Sequence, residues 1–148
     1  MNQRTISDST KEVYIPTETE ILQMGEAEYM NSAQLAFFRS RLEQLRTELL
    51  KNAEQTSEHL RETVVVPDPA DRATIEEEYA LELRTRDRER KLLKKVEQAL
   101  SRIENGEYGW CEETGEPIGV QRLIARPTAT LSLEAQQRRE LRQKLLGS

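Results

Sequence analysis

The sequence predicts a mainly α fold: a long antiparallel coiled-coil hairpin projecting from a small globular body. Three observations carry that reading. The chain has 148 residues, of which 36% are apolar, 33% charged and 5% aromatic. That is too little apolar content for an ordinary compact core, yet enough for a two-helix seam. Leu35, Phe38, Leu42, Leu45 and Leu49 follow 3-4-3-4 spacing, with no glycine or proline between 31 and 62. One sharp breaker, VVVPDPA at 64–70, separates this stretch from a second helical one of similar length.

Residues 1–30 are polar with scattered apolar anchors: Val13, Tyr14, Ile15, Ile21, Leu22, Met24, Tyr29 and Met30. They are expected to pack on the body. Pro16 interrupts any early helix. Thr17 or Thr19 is positioned to cap a short helix over 18–25, ended near Gly25. The first long helix, 31–62, would reach roughly 48 Å. Its seam register continues through Asn52, Thr56 and His59, so the distal half turns polar. A second helix is predicted over about 69–104. There Ile75, Tyr79, Leu93, Val96, Leu100 and Ile103 share one heptad frame, with Arg86 and Glu89 at its middle positions. Asn105-Gly106 supplies the stop.

The short connection implies antiparallel pairing. The apolar ends, 35–49 and 93–103, then meet, and the polar stretch Asn52–His59 faces Glu82–Arg86. Turn residues crowd 107–131, where Ile118-Gly119-Val120 and Leu123-Ile124 predict small strands or knuckles. SLEAQQRRELRQKLL at 132–146 predicts a helix with Ser132 as its N-cap. The organisation is therefore an N-terminal segment 1–30 packing on the body, a hairpin 31–106 with its tip at 64–73, and a body at 107–148.

Composition excludes several function classes. No stretch approaches the ~18 apolar residues of a membrane span, and the first residues lack the apolar run of a secretory signal. Cys111 is the one cysteine, which leaves no intramolecular disulfide and fits a reduced, cytoplasmic compartment. The net charge of −5 argues against DNA binding by bulk charge, though a local basic stripe is compatible with it.

Two motifs stand out. At the tip, Asp68 precedes Pro69, and Asp71 follows three residues after Asp68. Asp at the N-cap, Pro at the first helical position and an acid in the first turn are all helix-start preferences. Capping accounts for Asp68, whereas the Asp71 carboxylate is free to point outward. In the run 84–95, seven Lys/Arg stand against two acids. Arg84, Arg88, Lys91 and Lys95 recur at i, i+4, i+7 and i+11, forming a stripe roughly opposite Leu93. Such a stripe meets an external anion, or is a solvated face with pairs such as Glu82–Arg86 and Asp87–Lys91. It would also suit a coiled-coil adaptor on nucleic acid. A metal hydrolase centred on Asp68, Asp71 and Glu76–Glu78 lacks a phosphate loop, a nucleophile–base pair and any histidine besides His59.

The tip DPADRA, the run ELRTRDRERKLLKK, the segment GEAEYMNSAQLAFF and the stretch YGWCEETGEPIGVQRLIARPTATLSLEA together resemble the DksA family of bacterial transcription factors (DksA/TraR type). The resemblance runs from about Gly25 to the C-terminus. It implies a regulator, not an enzyme, that binds bacterial RNA polymerase through its largest subunit and without sequence-specific DNA contacts. The coiled coil would enter the secondary channel with Asp68, Asp71 and Ala73 at the polymerase active site and Arg84, Arg88 and Lys91 in docking. The alarmone guanosine tetraphosphate (ppGpp) would act with it, at positions matched by Leu92, Lys95 and Arg126. A position that is basic in the family is Gln136 here, which weakens the expected coupling to the alarmone. The family's four zinc-binding cysteines read Cys111, Thr114, Ser132 and Ala135. A hydroxyl pair and a methyl do not hold Zn²⁺, so the chain resembles a zinc-less branch with a degenerate zinc-finger-like knuckle. Packing of Trp110, Ile118, Val120, Leu123, Leu131 and Leu133 is expected to replace part of the metal's contribution.

Overall fold

The computed structural model describes residues 14–62 and 69–147. In chain order the helices are α1 (Glu18–Gln23), α2 (Ser32–Glu62), α3 (Pro69–Glu104), α4 (Val120–Ala125) and α5 (Leu133–Leu146), with a 3-10 turn at Glu26–Glu28. Among the described residues no strand forms, and an isolated antiparallel bridge joins Trp110 to Pro117.

Local chemistry fixes the helix starts. Thr17 caps α1 through a capping box with Glu20. The Asn31 side chain accepts the Gln34 N–H at 2.8 Å at the start of α2. Ser132 accepts the Ala135 N–H at 3.2 Å at the start of α5. Gly147, at φ +70°, closes α5 in the left-handed conformation that glycine adopts without strain.

A single apolar cluster joins the hairpin base to the body. Phe37, Phe38, Leu42 and Leu49 of α2 meet Val96, Ala99, Leu100 and Ile103 of α3, and the body adds Tyr108, Ile118, Leu123, Leu131 and Ala135. Ile21 of α1 is fully buried in it, with Met24 and Met30 packed alongside. Of the other N-terminal anchors, Tyr14, Ile15 and Leu22 are exposed, and Val13 lies outside the described residues. Arg41 ties α1 to α2, stacking 4.7 Å from the Phe37 ring centroid and pairing with Glu18 at 3.1 Å.

Beyond Leu49 on α2 and before Val96 on α3, none of the described arm residues is buried. The polar middles do meet, and there His59 Nδ1 contacts Glu82 Oε2 across the seam. On α3 one half of the heptad frame holds along the arm, since Ile75, Glu82 and Glu89 are half-buried at seven-residue spacing in line with Val96 and Ile103. The other half shifts by one position: Ala53 and Thr85 are half-buried where the frame places Asn52 and Arg86, and Tyr79 is 42% exposed.

The body differs from expectation in two respects. The run after Gly119 forms α4 and not a strand. Val120, Leu123 and Ile124 stand at i, i+3 and i+4, which is helical spacing. Trp110 and Leu133 do not belong to the core, being 36% and 51% exposed, and Val120 is half-buried. Tyr108 and Cys111 are buried there instead.

Candidate functional site

The candidate site residues fall at two ends of α3. At the distal end the helix begins at Pro69, placing Asp71 in its first turn and Ala73 just beyond, both exposed. Asp68 lies outside the described residues. A carboxylate in the first turn interacts favourably with the positive end of the helix while remaining open to a partner.

Along the outer face Arg84, Arg88, Lys91 and Lys95 are all exposed. Asp87 pairs with Arg90 at 2.5 Å and with Lys91 at 3.3 Å. The Arg90 hydrogen bond first, and Lys91 next, hold the Asp87 carboxyl below its ordinary range. The stripe's charge is thus partly answered at Lys91 by its own helix.

At the proximal end the body folds Arg126 back towards Lys95. Tyr108 is the pivot: it packs 5.6 Å from the Phe38 ring and donates its hydroxyl to the Pro127 carbonyl at 2.7 Å. Burial pushes the Tyr108 phenol far above its usual range, so it stays a neutral donor. Glu112 N–H donates to the Thr130 carbonyl at 2.9 Å, closing the second side. Between α3 and these segments lies a cavity of about 230 Å³ lined by Lys95, Arg122, Arg126, Gln136 and Glu112, among others. Sequence reasoning joined Lys95, Arg126 and Gln136 here but missed Arg122, whose Nε donates to the Leu131 carbonyl at 2.9 Å. Leu92 is half-buried against the seam and is not part of this lining. The cavity combines three cations with neutral amides and hydroxyls and one carboxylate, a net positive composition suited to a phosphorylated ligand.

The degenerate finger lies beside it. Zinc needs four donors, and these residues do not provide them. Ala135 has none, and the Ser132 hydroxyl is committed to capping α5. The Thr114 hydroxyl accepts from Glu116 N–H at 3.2 Å. Burial pushes the Cys111 thiol up. Hydrogen bonds from the Thr114 hydroxyl and from the backbone N–H groups of Ser132, Thr114 and Glu113 overcome that and draw it down to about 6.

Two side chains tie this knuckle to the rest of the fold, Arg102, which the sequence reading missed, and Tyr29, one of its expected N-terminal anchors. Arg102 of α3 donates to the carbonyls of Glu107 (2.9 Å) and Trp110 (3.0 Å), and to the Glu112 carboxylate (3.1 Å). Tyr29 donates to the Gly109 carbonyl at 2.6 Å and accepts from Gly119 N–H at 2.9 Å. Arg139 of α5 adds an ion pair with Glu113 at 2.9 Å.

Two known families match the chain. The one described as "DnaK suppressor protein DksA, N-terminal domain" matches residues 34–103. The "Prokaryotic dksA/traR C4-type zinc finger" family matches 106–141. The RNA polymerase-binding transcription factor DksA of Caulobacter vibrioides is 51% identical over 136 residues, covering 91% of each chain. Its namesake from Escherichia coli K12 is 50% identical over 121 residues, 81% of this chain and 80% of the other. The structure of transcription factor DksA2 from Pseudomonas aeruginosa superposes with a TM-score of 0.78 at 47% identity, over 86% of this chain and 99% of that one.

Proposed function

The chain belongs to the DksA family of RNA polymerase-binding transcription factors, and from that premise we propose that it modulates initiation by entering the polymerase's secondary channel, together with ppGpp and without zinc. One observation carries the reading: two chemically different groups are fixed on a single rod. Asp71 stands exposed near one end of α3 and Lys95 near the other, about 36 Å apart at 1.5 Å per residue. A slender arm of that length delivers a lone carboxylate deep into a pore. The body, with its cations, stays at the pore's mouth.

Each candidate residue takes a place in this scheme. Asp71, with Ala73 and Asp68 near it in sequence, would work at the catalytic centre. Arg84, Arg88 and Lys91 would meet acidic surface on the largest subunit. Lys95 and Arg126 supply charge-assisted donors for clustered phosphates, and Leu92 lends a half-buried apolar edge one turn away. Gln136 offers an amide and no charge, which keeps alarmone coupling modest. Zinc independence rests on the donor set, since Cys111 already has its partners within the chain. The reading puts the protein's work in the cytoplasm, with the polymerase. Among the described residues no helix is long and apolar enough to cross a membrane.

The test is a titration of ppGpp in initiation assays on a ribosomal promoter, with saturating protein. Lys95→Ala and Arg126→Ala are each expected to reduce the ppGpp-dependent increment more than the ppGpp-independent part. Each loss corresponds to one charge-assisted hydrogen bond of ~1.5–3 kcal/mol. Equal loss of both components would assign these residues to docking or folding. Capture of core polymerase with no DNA present separates this function from a nucleic-acid adaptor, which would require DNA.

A further inference from the structure

Glu112 is the one acidic residue among those lining the cavity that holds Lys95, Arg122 and Arg126. We propose that it is a fixed counter-charge that raises the concentration at which a polyanionic ligand, ppGpp in the reading above, occupies that cavity. The inference rests on that reading of the site and goes beyond it.

Three observations support it. The Glu112 backbone is pinned, because its N–H donates to the Thr130 carbonyl at 2.9 Å. Its carboxylate is held too, since Oε2 accepts from Arg102 Nη1 at 3.1 Å. Arg102 itself is only 16% exposed and is also committed to two backbone carbonyls. The acid is therefore held beside Arg102, with its side chain 48% exposed. An incoming phosphate meets three cations in the lining and a carboxylate whose charge the Arg102 guanidinium answers only in part.

A simpler assignment is that Glu112 serves Arg102 and the knuckle alone. The two roles differ in their electrostatic signature. If Glu112 is a purely structural partner, the effect of neutralising it depends on neither the ligand's charge nor the salt. A counter-charge opposes binding in proportion to the ligand's charge, and its influence fades as ionic strength shortens the screening length.

The experiment uses the full chain with RNA polymerase and compares ppGpp with GDP in initiation assays. Glu112→Gln removes the charge and keeps an oxygen for Arg102. Glu112→Met removes both, so the pair separates charge from hydrogen bonding, and thermal melts identify a variant that fails to fold. Both are expected to lower the half-maximal ppGpp concentration about threefold to tenfold at low salt. The gain should be smaller for GDP and smaller again near 0.3 M salt, roughly where the screening length falls well below 10 Å. The inference is overturned if both neutral variants leave the half-maximal concentration unchanged or raise it while Lys95→Ala and Arg126→Ala still weaken the response. If those two alanine variants leave ppGpp action intact, the reading of the site fails first and takes the inference with it.

Discussion

Asp71→Asn is expected to remove most regulatory activity, about tenfold to a hundredfold. A single charge-assisted hydrogen bond at a catalytic centre is worth about that much. The substitution keeps the side chain's shape and its ability to accept a hydrogen bond. It removes the charge alone. Asp71 is exposed and lies in the first turn of α3, so its favourable interaction with the helix end is screened by solvent. Polymerase affinity and melting temperature should therefore stay close to the parent's. The measurement pairs an initiation assay with a binding titration and a thermal melt. If activity falls only in step with binding or folding, Asp71 is a helix-start residue and the active-site role is wrong. Asp68 offers no such separation, because its sequence position before Pro69 is that of an expected N-cap, whose loss would alter the helix start itself.

Arg102→Met should destabilise the body by about 1–3 kcal/mol. It leaves two carbonyls and a half-exposed carboxylate without their common donor, which itself is only 16% exposed. The stem of methionine replaces the aliphatic part of the arginine, so the loss comes from the head group. Chemical unfolding of the full chain measures it. In the same assay EDTA should leave the wild-type transition unmoved, and elemental analysis should find no stoichiometric zinc. An EDTA-sensitive transition, or one zinc per chain, would show that a metal and not the arginine holds the knuckle.

Sequence periodicity made the hairpin legible because its helices are long and their ends carry local chemistry. Thr17 and Ser132 cap as their positions required, and both long helices keep their expected bounds within a residue. The distal register was less legible. Where Leu gives way to Asn, Thr, Glu and Arg, no apolar side chain fixes which of two neighbouring positions faces the partner helix. Lys95 and Arg126 were joined through the family resemblance, and the fold brings them to one cavity. Arg102 escaped notice for a different reason, and so did the hydrogen bonds of Tyr29, which was foreseen only as an anchor. Their partners include backbone carbonyls and N–H groups, which every residue carries, so no side-chain pattern announces them. In the case of α4, a signal was present in the i, i+3, i+4 spacing of Val120, Leu123 and Ile124, but it spans under two turns and the neighbouring glycines and prolines mask it.

The uneven seam dictates how the arm must assemble. Near the base, Arg39 pairs with Glu104 across 65 residues of chain, whereas His59 and Glu82, far out on the arm, are 23 apart. Loop-closure entropy alone favours the outer pair, but only by about 0.9 kcal/mol, because that cost grows with the logarithm of loop length. Burial of Phe38, Leu42, Val96 and Ile103 at the base outweighs that difference, at roughly 1.5–3 kcal/mol for each large side chain. The hairpin is therefore expected to form first at its base and zip outward, with its far end the first part to open. Amide exchange should report this as protection that falls steadily from Val96 towards Asp71. Uniform protection along α3 would refute it. If the arm enters a polymerase pore as proposed, the pore would meet a rod that is firm at its base and compliant at its far end.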